Sequence, residues 1–187
     1  MLDELIYALS KDPFDPKLNF DVAVEYEKAD QIASAVSFYL RTAEYGKESD
    51  DLYVYTSLLK LAKCFNDQND RATTVANCLM QAIGYDPDRP EGFFLLSQFH
   101  ERQGNWREAW VYSRIGQNVA ENDFGFSPLP ADVGYVDYGL KFEEAVSAWW
   151  LGRKDESVKI FNELLALDIS DDYKQAIQRN LDTITPA

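Results

Sequence analysis

PEGFFLLSQFHERQGNWREAWVYSRIG, residues 90–116, decides the fold. Pro90 suits a first helical position, where a missing N–H leaves no hydrogen bond unmade. Phe93, Leu96, Ser97 and His100 fall at i, i+3, i+4 and i+7 and so share one helix face. Gly104 and Asn105 break the pattern in a tight turn. Trp106, Ala109, Tyr112, Ser113 and Gly116 then mark the face of a second helix. The small residues at 109, 113 and 116 let two helices approach closely. The stretch therefore predicts a helical hairpin, and a lone hairpin cannot bury its apolar face, so neighbours of the same kind are required.

This hairpin resembles a tetratricopeptide repeat, a helix–turn–helix unit of about 34 residues. Outward from it, the chain divides into four hairpins, about 17–45, 51–86, 90–120 and 136–167. In the first, Phe20, Val22, Ala23 and Tyr26 face Ala35, Val36, Tyr39 and Ala43. Asp30 stands near the place of the usual turn glycine, and Gly46 ends the second helix. In the second hairpin, Tyr55, Leu58, Leu59, Ala62 and Phe65 face Val75, Cys78, Leu79, Ala82 and Ile83 across the polar turn 66–70. In the fourth, Leu140, Phe142, Ala145, Val146, Trp149 and Trp150 face Val158, Phe161, Leu164, Leu165 and Leu167 across Gly152. Ala109 lies 34 residues after Val75, but Val75 is 40 after Ala35 and Ser157 is 48 after Ala109, so the surplus lies in loops. Most of it is the stretch 121–136, whose Pro128, Pro130, Gly125 and Gly134 exclude a long helix. Its Phe124, Phe126, Leu129 and Tyr135 predict an ordered, packed loop that is either functional or a structural plug.

Short helices flank the array. Residues 2–10 form an amphipathic N-terminal cap, and DPFDP at 12–16 ends that helix and starts the next. Asp171 or Asp172 is expected to cap a terminal helix over 171–184, whose Tyr173, Ile177, Leu181 and Ile184 can seal the open end. The fold expected is all-α: one domain over 1–187, a right-handed, tetratricopeptide-like superhelix with capping helices at both ends.

Composition narrows the function classes. An apolar fraction of 46% supports a proper core. The formal charge of −14 repels nucleic acid and anionic membrane surfaces at long range. It serves solubility or, as a sharper reading, a preference for a basic partner. No apolar run is long enough for a membrane span. The N-terminus, MLDE, lacks the basic and apolar segments of a secretory signal, which predicts a cytoplasmic protein. Cys64 and Cys78 are too few for a disulfide scaffold or a zinc site and read as small packed thiols.

No cofactor, metal or catalytic set is expected. The sole histidine, His100, sits at an apolar-face position and reads as a packed side chain. The carboxylate pairs Glu143–Glu144, Asp155–Glu156 and Asp171–Asp172 read as solvated charge, because adjacent helical residues point in different directions. Asp86-Pro87 with Asp88, Arg89 and Pro90 reads as an inter-repeat turn rather than a calcium loop. The resemblance implies instead a concave groove lined by the first helix of each hairpin. One step off the packing face, that gives Phe20, Val24 and Glu27; Leu59 and Lys63; Phe94, Gln98, Glu101 and Arg102; and Trp150, with Trp149 and Trp150 one register apart.

Residues 89–183 carry a narrower likeness. RPEGFFLLSQFHERQGNWREAWVYSRIG, a Pro-rich loop, VDYGLKFEEAVSAWWLGRKDESVKIFNELL and a terminal RNL occur in the order found in the helical tail of some bacterial and bacteriophage family-2 glycosyltransferases, which this region resembles. The catalytic α/β domain of that family has no counterpart here, so transferase activity does not carry over. Three readings follow. The first is a non-enzymatic adaptor or scaffold that holds a protein, peptide or helix in the groove. The second is an accessory partner of a glycosyltransferase, or a glycan-contacting module. The third is a self-assembling structural subunit, as of a virion.

Overall fold

The computed structural model describes residues 1–68, 71–122 and 126–184. The described residues form ten α-helices and no strand. In chain order these are α1 (Leu2–Leu9), α2 (Pro16–Lys28), α3 (Ile32–Tyr45), α4 (Asp51–Asp67), α5 (Ala72–Tyr85), α6 (Pro90–Arg102), α7 (Trp106–Glu121), α8 (Gly139–Trp150), α9 (Lys154–Leu165) and α10 (Asp171–Ile184). A 3-10 turn at Glu48–Asp50 leads into α4. The helices pair as the four expected hairpins: α2 with α3, α4 with α5, α6 with α7 and α8 with α9. The chain forms two compact units. One is Met1–Pro87 with Gly125–Val133, and the other is Asp88–Phe124 with Gly134–Ala187. Each unit holds two hairpins and one capping helix.

The turns repeat one geometry. Asp30, Gly104 and Gly152 each stand two residues before a second helix and adopt φ of 56°, 71° and 77°. The following N–H reaches back to the first helix in all three: Gln31 to the Tyr26 carbonyl, Asn105 to His100 and Arg153 to Ala148, each at 2.9 Å. This left-handed ending satisfies carbonyls that the helix leaves open. Asp30 thus does a glycine's work with a Cβ, which the left-handed region penalises.

Helix starts follow local chemistry. Asp15 accepts a hydrogen bond from the Leu18 N–H at 2.8 Å, with Pro16 at the first helical position. The cap of α10 is Ser170 rather than Asp171 or Asp172. Its Oγ lies 3.5 Å from the Tyr173 N–H, and its carbonyl accepts from the Lys174 N–H. The two aspartates occupy the first turn instead, where their charge complements the helix dipole. Gly46 ends α3 with φ of −63°, so room rather than a left-handed turn explains it. A Cβ there would collide with Cγ2 of Val54.

Small residues set the helix spacing. In unit 1, Ala35 is fully buried and the Thr42 hydroxyl bonds the Pro16 carbonyl, tying α3 to α2. In unit 2, Ser97 Oγ donates to the Ala109 carbonyl at 2.8 Å, tying α6 to α7. A Cβ on Gly116 would stand 2.8 Å from that of Phe93 and 2.7 Å from a Leu140 methyl, so α7 touches both first helices there. Around these contacts Phe20, Tyr39 and Tyr53 pack edge to face in unit 1. Ala145, Val146, Phe161, Leu164, Ile177 and Ile184 form a core in unit 2, with Tyr173 and Leu181 packed on it. In the stretch 121–136, Val133 is buried and Tyr135 sets its ring edge against Phe94 at 5.6 Å. Phe124 and Gly125 of that stretch, like Asn69 and Asp70 of the second turn, lie outside the described residues.

Replacing Asp30 with Gly should stabilise the protein by roughly 0.5–1 kcal/mol in urea denaturation, by relieving the left-handed strain. Gly104→Ala should cost about 1 kcal/mol or more. Its side has open space, so only the backbone conformation opposes the change. Equal effects of both changes would contradict the shared geometry.

Candidate functional site

The polar side chains of the first helices meet in one cluster in each unit. In unit 1, Glu27 near the end of α2 accepts two hydrogen bonds, from Tyr39 Oη at 2.6 Å and from Lys60 Nζ at 3.0 Å. Lys60 is on α4 and only 7% exposed. The carboxylate is thus held by a phenol and an ammonium, which is how a charge survives removal from water. Burial, and then the Glu27 bond, push the Tyr39 phenol far up from its ordinary range. Burial with the nearby Glu27 charge pushes the Cys64 thiol up to about 11.

The unit 2 cluster is built differently. Gln98 Nε2 of α6 donates to Glu143 Oε1 of α8 at 3.3 Å. Close to it on α6, Glu101 is half-buried and Arg102 exposed. Glu143 itself is 4% exposed, and its Oε2 has no hydrogen-bond partner among the described residues. Burial first, then the charge of Glu101, push its carboxyl up to about 8, with the Gln98 bond and Arg102 acting the other way. Burial raises Glu101 as well, opposed by Arg102. From α10, Tyr173 feels the same charge: burial and then Glu143 push its phenol up to about 12.

Of the expected groove residues, the structure brings Gln98, Glu101 and Arg102 together around Glu143. Glu27 is joined to Lys60, while Val24 is half-buried and Lys63 exposed. Phe20, Leu59 and Phe94 are each 1% exposed and belong to the packing. Their helices are covered on more than one side, so one step off the first packing face meets a second. Trp150 is 58% exposed and stacks on Trp106 of α7 at 4.7 Å with the rings 10° apart. One turn along α7 from Trp106, Trp110 lies between Arg153 at 4.1 Å and Arg114 at 5.0 Å.

Glu143 and Glu144 correct the expectation of solvated charge. They do point in different directions, but α8 packs against α6, α7 and α9, so both directions lead inward. Glu144 meets Gln117 Nε2 at 2.7 Å and Arg114 at 3.4 Å. Lys60 escaped the reading for the same reason: a lysine inside an apolar run looks like an interruption until the facing helix supplies its carboxylate. His100 is packed flat on Tyr112 at 5.4 Å, and burial lowers its imidazole. Both cysteines are free thiols. Among the described residues no group of three His, Cys, Asp or Glu side chains could hold a metal ion. None of their helices is long and apolar enough to cross a membrane. Two open hollows, about 380 Å³ beside Tyr138 and Leu167 and about 450 Å³ beside Leu40 and Tyr85, contain none of the expected groove residues.

No family model matches the chain, and no curated protein matches its sequence. Solved structures do match its backbone. MamA superposes with a TM-score of 0.67 at 12% identity, covering 95% of this chain and 89% of that one. YrrB, a TPR protein with an unusual peptide-binding site, gives 0.66 at 12% identity over 95% and 81%. TTC0263, a thermophilic TPR protein of Thermus thermophilus, gives 0.63 at 15% identity over 96% and 88%. The fold is that of the tetratricopeptide repeat. At these identities the likeness is one of backbone alone.

Glu143 makes stability depend on pH. The folded protein keeps its proton up to about pH 8, whereas an unfolded glutamate releases it near 4.5. The folded state therefore binds more protons between those values, and stability falls as pH rises through that window. Glu143→Gln should remove this slope. Its stability advantage over the wild type, measured by denaturation at about pH 5 and about pH 8.5, should grow with pH to on the order of a few kcal/mol. An advantage independent of pH would mean that Glu143 is ionised throughout.

Proposed function

We propose that the chain is a non-enzymatic interaction module that holds a peptide or helix of a protein partner against the first helices of its hairpins. The observation that carries this reading is the character of those helices where they reach the surface. Gln98, Glu101 and Arg102 present an amide, a carboxylate and a guanidinium side by side on α6, and a polar lining of that kind offers hydrogen bonds to an extended or helical backbone. The likeness to YrrB, a protein with a peptide-binding site, supports the same reading at the level of the fold.

A second reading rests on Trp150. Its ring is stacked on Trp106 and largely exposed, which suits contact with the apolar face of a sugar, and residues 89–183 resemble the helical tail of family-2 glycosyltransferases. On that reading unit 2 touches glycan or docks on a sugar-transfer enzyme.

Affinity capture of the tagged protein from its native cell extract, with mass spectrometry, separates these readings. The interaction module requires a recurrent protein partner whose recovery falls at least fivefold with Gln98→Ala and Arg102→Ala combined. Arg102 is exposed, so Arg102→Ala alone should leave the melting temperature within a few degrees of wild type. Gln98→Ala also removes the one hydrogen bond to buried Glu143 and should cost about 1–3 kcal/mol, so recovery is compared for the single and double changes. A glycosyltransferase as partner, or glycan-array binding lost with Trp150→Ala, moves the conclusion to the second reading. Recovery of the chain alone, as a defined oligomer, leaves self-assembly as the function.

A further inference from the structure

The two units place different charges at equivalent positions. Glu27 precedes the last residue of α2 by one, and Glu101 precedes the last residue of α6 by one. Lys60 stands seven before the end of α4, and Glu143 stands seven before the end of α8. In unit 1 the two positions make an ion pair of 3.0 Å. In unit 2 the same positions hold two carboxylates. Tyr39, whose hydroxyl supports Glu27, also has a changed counterpart. The equivalent place on α7 is Ser113, whose hydroxyl donates to the Trp110 carbonyl instead. Unit 2 therefore keeps the acid of the pair and replaces the lysine that neutralises it with a second acid.

A buried carboxylate with an open lone pair is costly unless a cation or donor reaches it. Gln98 satisfies one oxygen of Glu143, and the other has no partner among the described residues. One turn further along α8, on the same face, the hydroxyl of Ser147 is fully buried and also without a partner among the described residues. Glu101 is half-buried, so a long side chain can reach that carboxylate from solvent, while Glu143 Oε2 is closed to solvent and must turn outward to meet it. We propose that Glu101 and Glu143 form a receptor for a lysine ammonium of a partner protein, which takes the role inside unit 2 that Lys60 takes inside unit 1. This rests on the interaction-module reading and names the chemistry that the module selects. An ammonium offers three N–H donors, enough for Glu143 Oε2, the Glu101 carboxylate and the Ser147 hydroxyl. The excess of acidic residues, 32 against 18 basic, favours the approach of such a partner.

Binding then carries a proton signature. Among the described residues, Gln98 of α6 bonds Glu143, the charges of Glu101 and Arg102 of α6 act on it, and its own charge acts on Tyr173 of α10. Tyr173 holds its proton to about pH 12. Glu143 must ionise to receive the ammonium, and it holds its proton up to about pH 8 when free. Affinity should rise up to about tenfold per pH unit from about 6 to 8 and level off above, while a lysine stays charged to about pH 10.

Phage-displayed random peptides of about 12 residues, selected on the full chain, test the receptor. Selected peptides are synthesised and titrated calorimetrically in buffers of different ionisation enthalpy. Each should contain one lysine whose replacement by norleucine weakens Kd at least tenfold. Glu143→Gln should weaken the parent peptide similarly, and the two losses should not add, as expected for groups in contact. Binding at about pH 7 should release a proton in the wild type and none in Glu143→Gln. Glu143→Lys should supply the cation from within the chain, raise the melting temperature and abolish selection for lysine. Peptides that bind with no lysine requirement, or with Kd unchanged by Glu143→Gln, overturn the receptor and leave the interaction module standing. Failure to select any peptide overturns the receptor and leaves the interaction module to stand or fall on the capture experiment.

Discussion

Everything in this chain depends on how closely two helices can approach when neither can bury its own apolar face. A hairpin alone leaves half of each helix in water. Burial is completed only because Ala35, Ala109 and Ser157 are small enough to be covered entirely, and because Gly116 lets α7 rest against Phe93 and Leu140 at once. Close approach has a further effect. It encloses first-helix positions on several sides, so that α4 buries Val54 to Ala62 without interruption. Polar residues caught in such a helix cannot turn to solvent. They must find partners on the facing helix, as Lys60 does, or on their own, as Thr56 does with the Leu52 carbonyl, or remain unsatisfied.

That requirement sorts the polar positions into settled and unsettled ones. Glu27, Tyr39 and Lys60 satisfy one another. Arg89 and Glu91 do the same in unit 2, at 2.6 Å and nearly without solvent. Glu143 stands apart, with one weak amide bond and a carboxylate neighbour. Stability alone would favour a leucine or a glutamine there, because holding a glutamate protonated at neutral pH costs stability that a residue without the titrating group does not lose.

The periodic apolar positions were legible because a helix repeats its buried face every 3.6 residues whatever its neighbours are. Phe93, Leu96, Ala109 and Gly116 were placed correctly on that ground, as were Pro16 and Pro90 at helix starts. Asp30 could be matched to the turn glycines because its spacing to the next helix is theirs. The groove was legible only in part. Register along one helix places Gln98, Glu101 and Arg102 on one side of α6, but Phe20, Leu59 and Phe94 are buried against a second neighbour that no single helix reveals. Glu143 and Lys60 were missed because their meaning lies in pairing across helices. Pairing depends on the rotation of one helix about another, which side-chain spacing within either helix does not encode.

All four tryptophans, at 106, 110, 149 and 150, fall within unit 2, while tyrosines and helices are shared by both units. The molecule therefore carries a built-in optical asymmetry. Tryptophan emission reports on one unit alone, the unit in which Trp106 and Trp150 lie stacked. Backbone ellipticity reports on both units together. Where the two signals trace the same unfolding curve, the hairpins melt as one cooperative body. Where they part, the gap measures how independently a repeat array built from unequal halves can come undone.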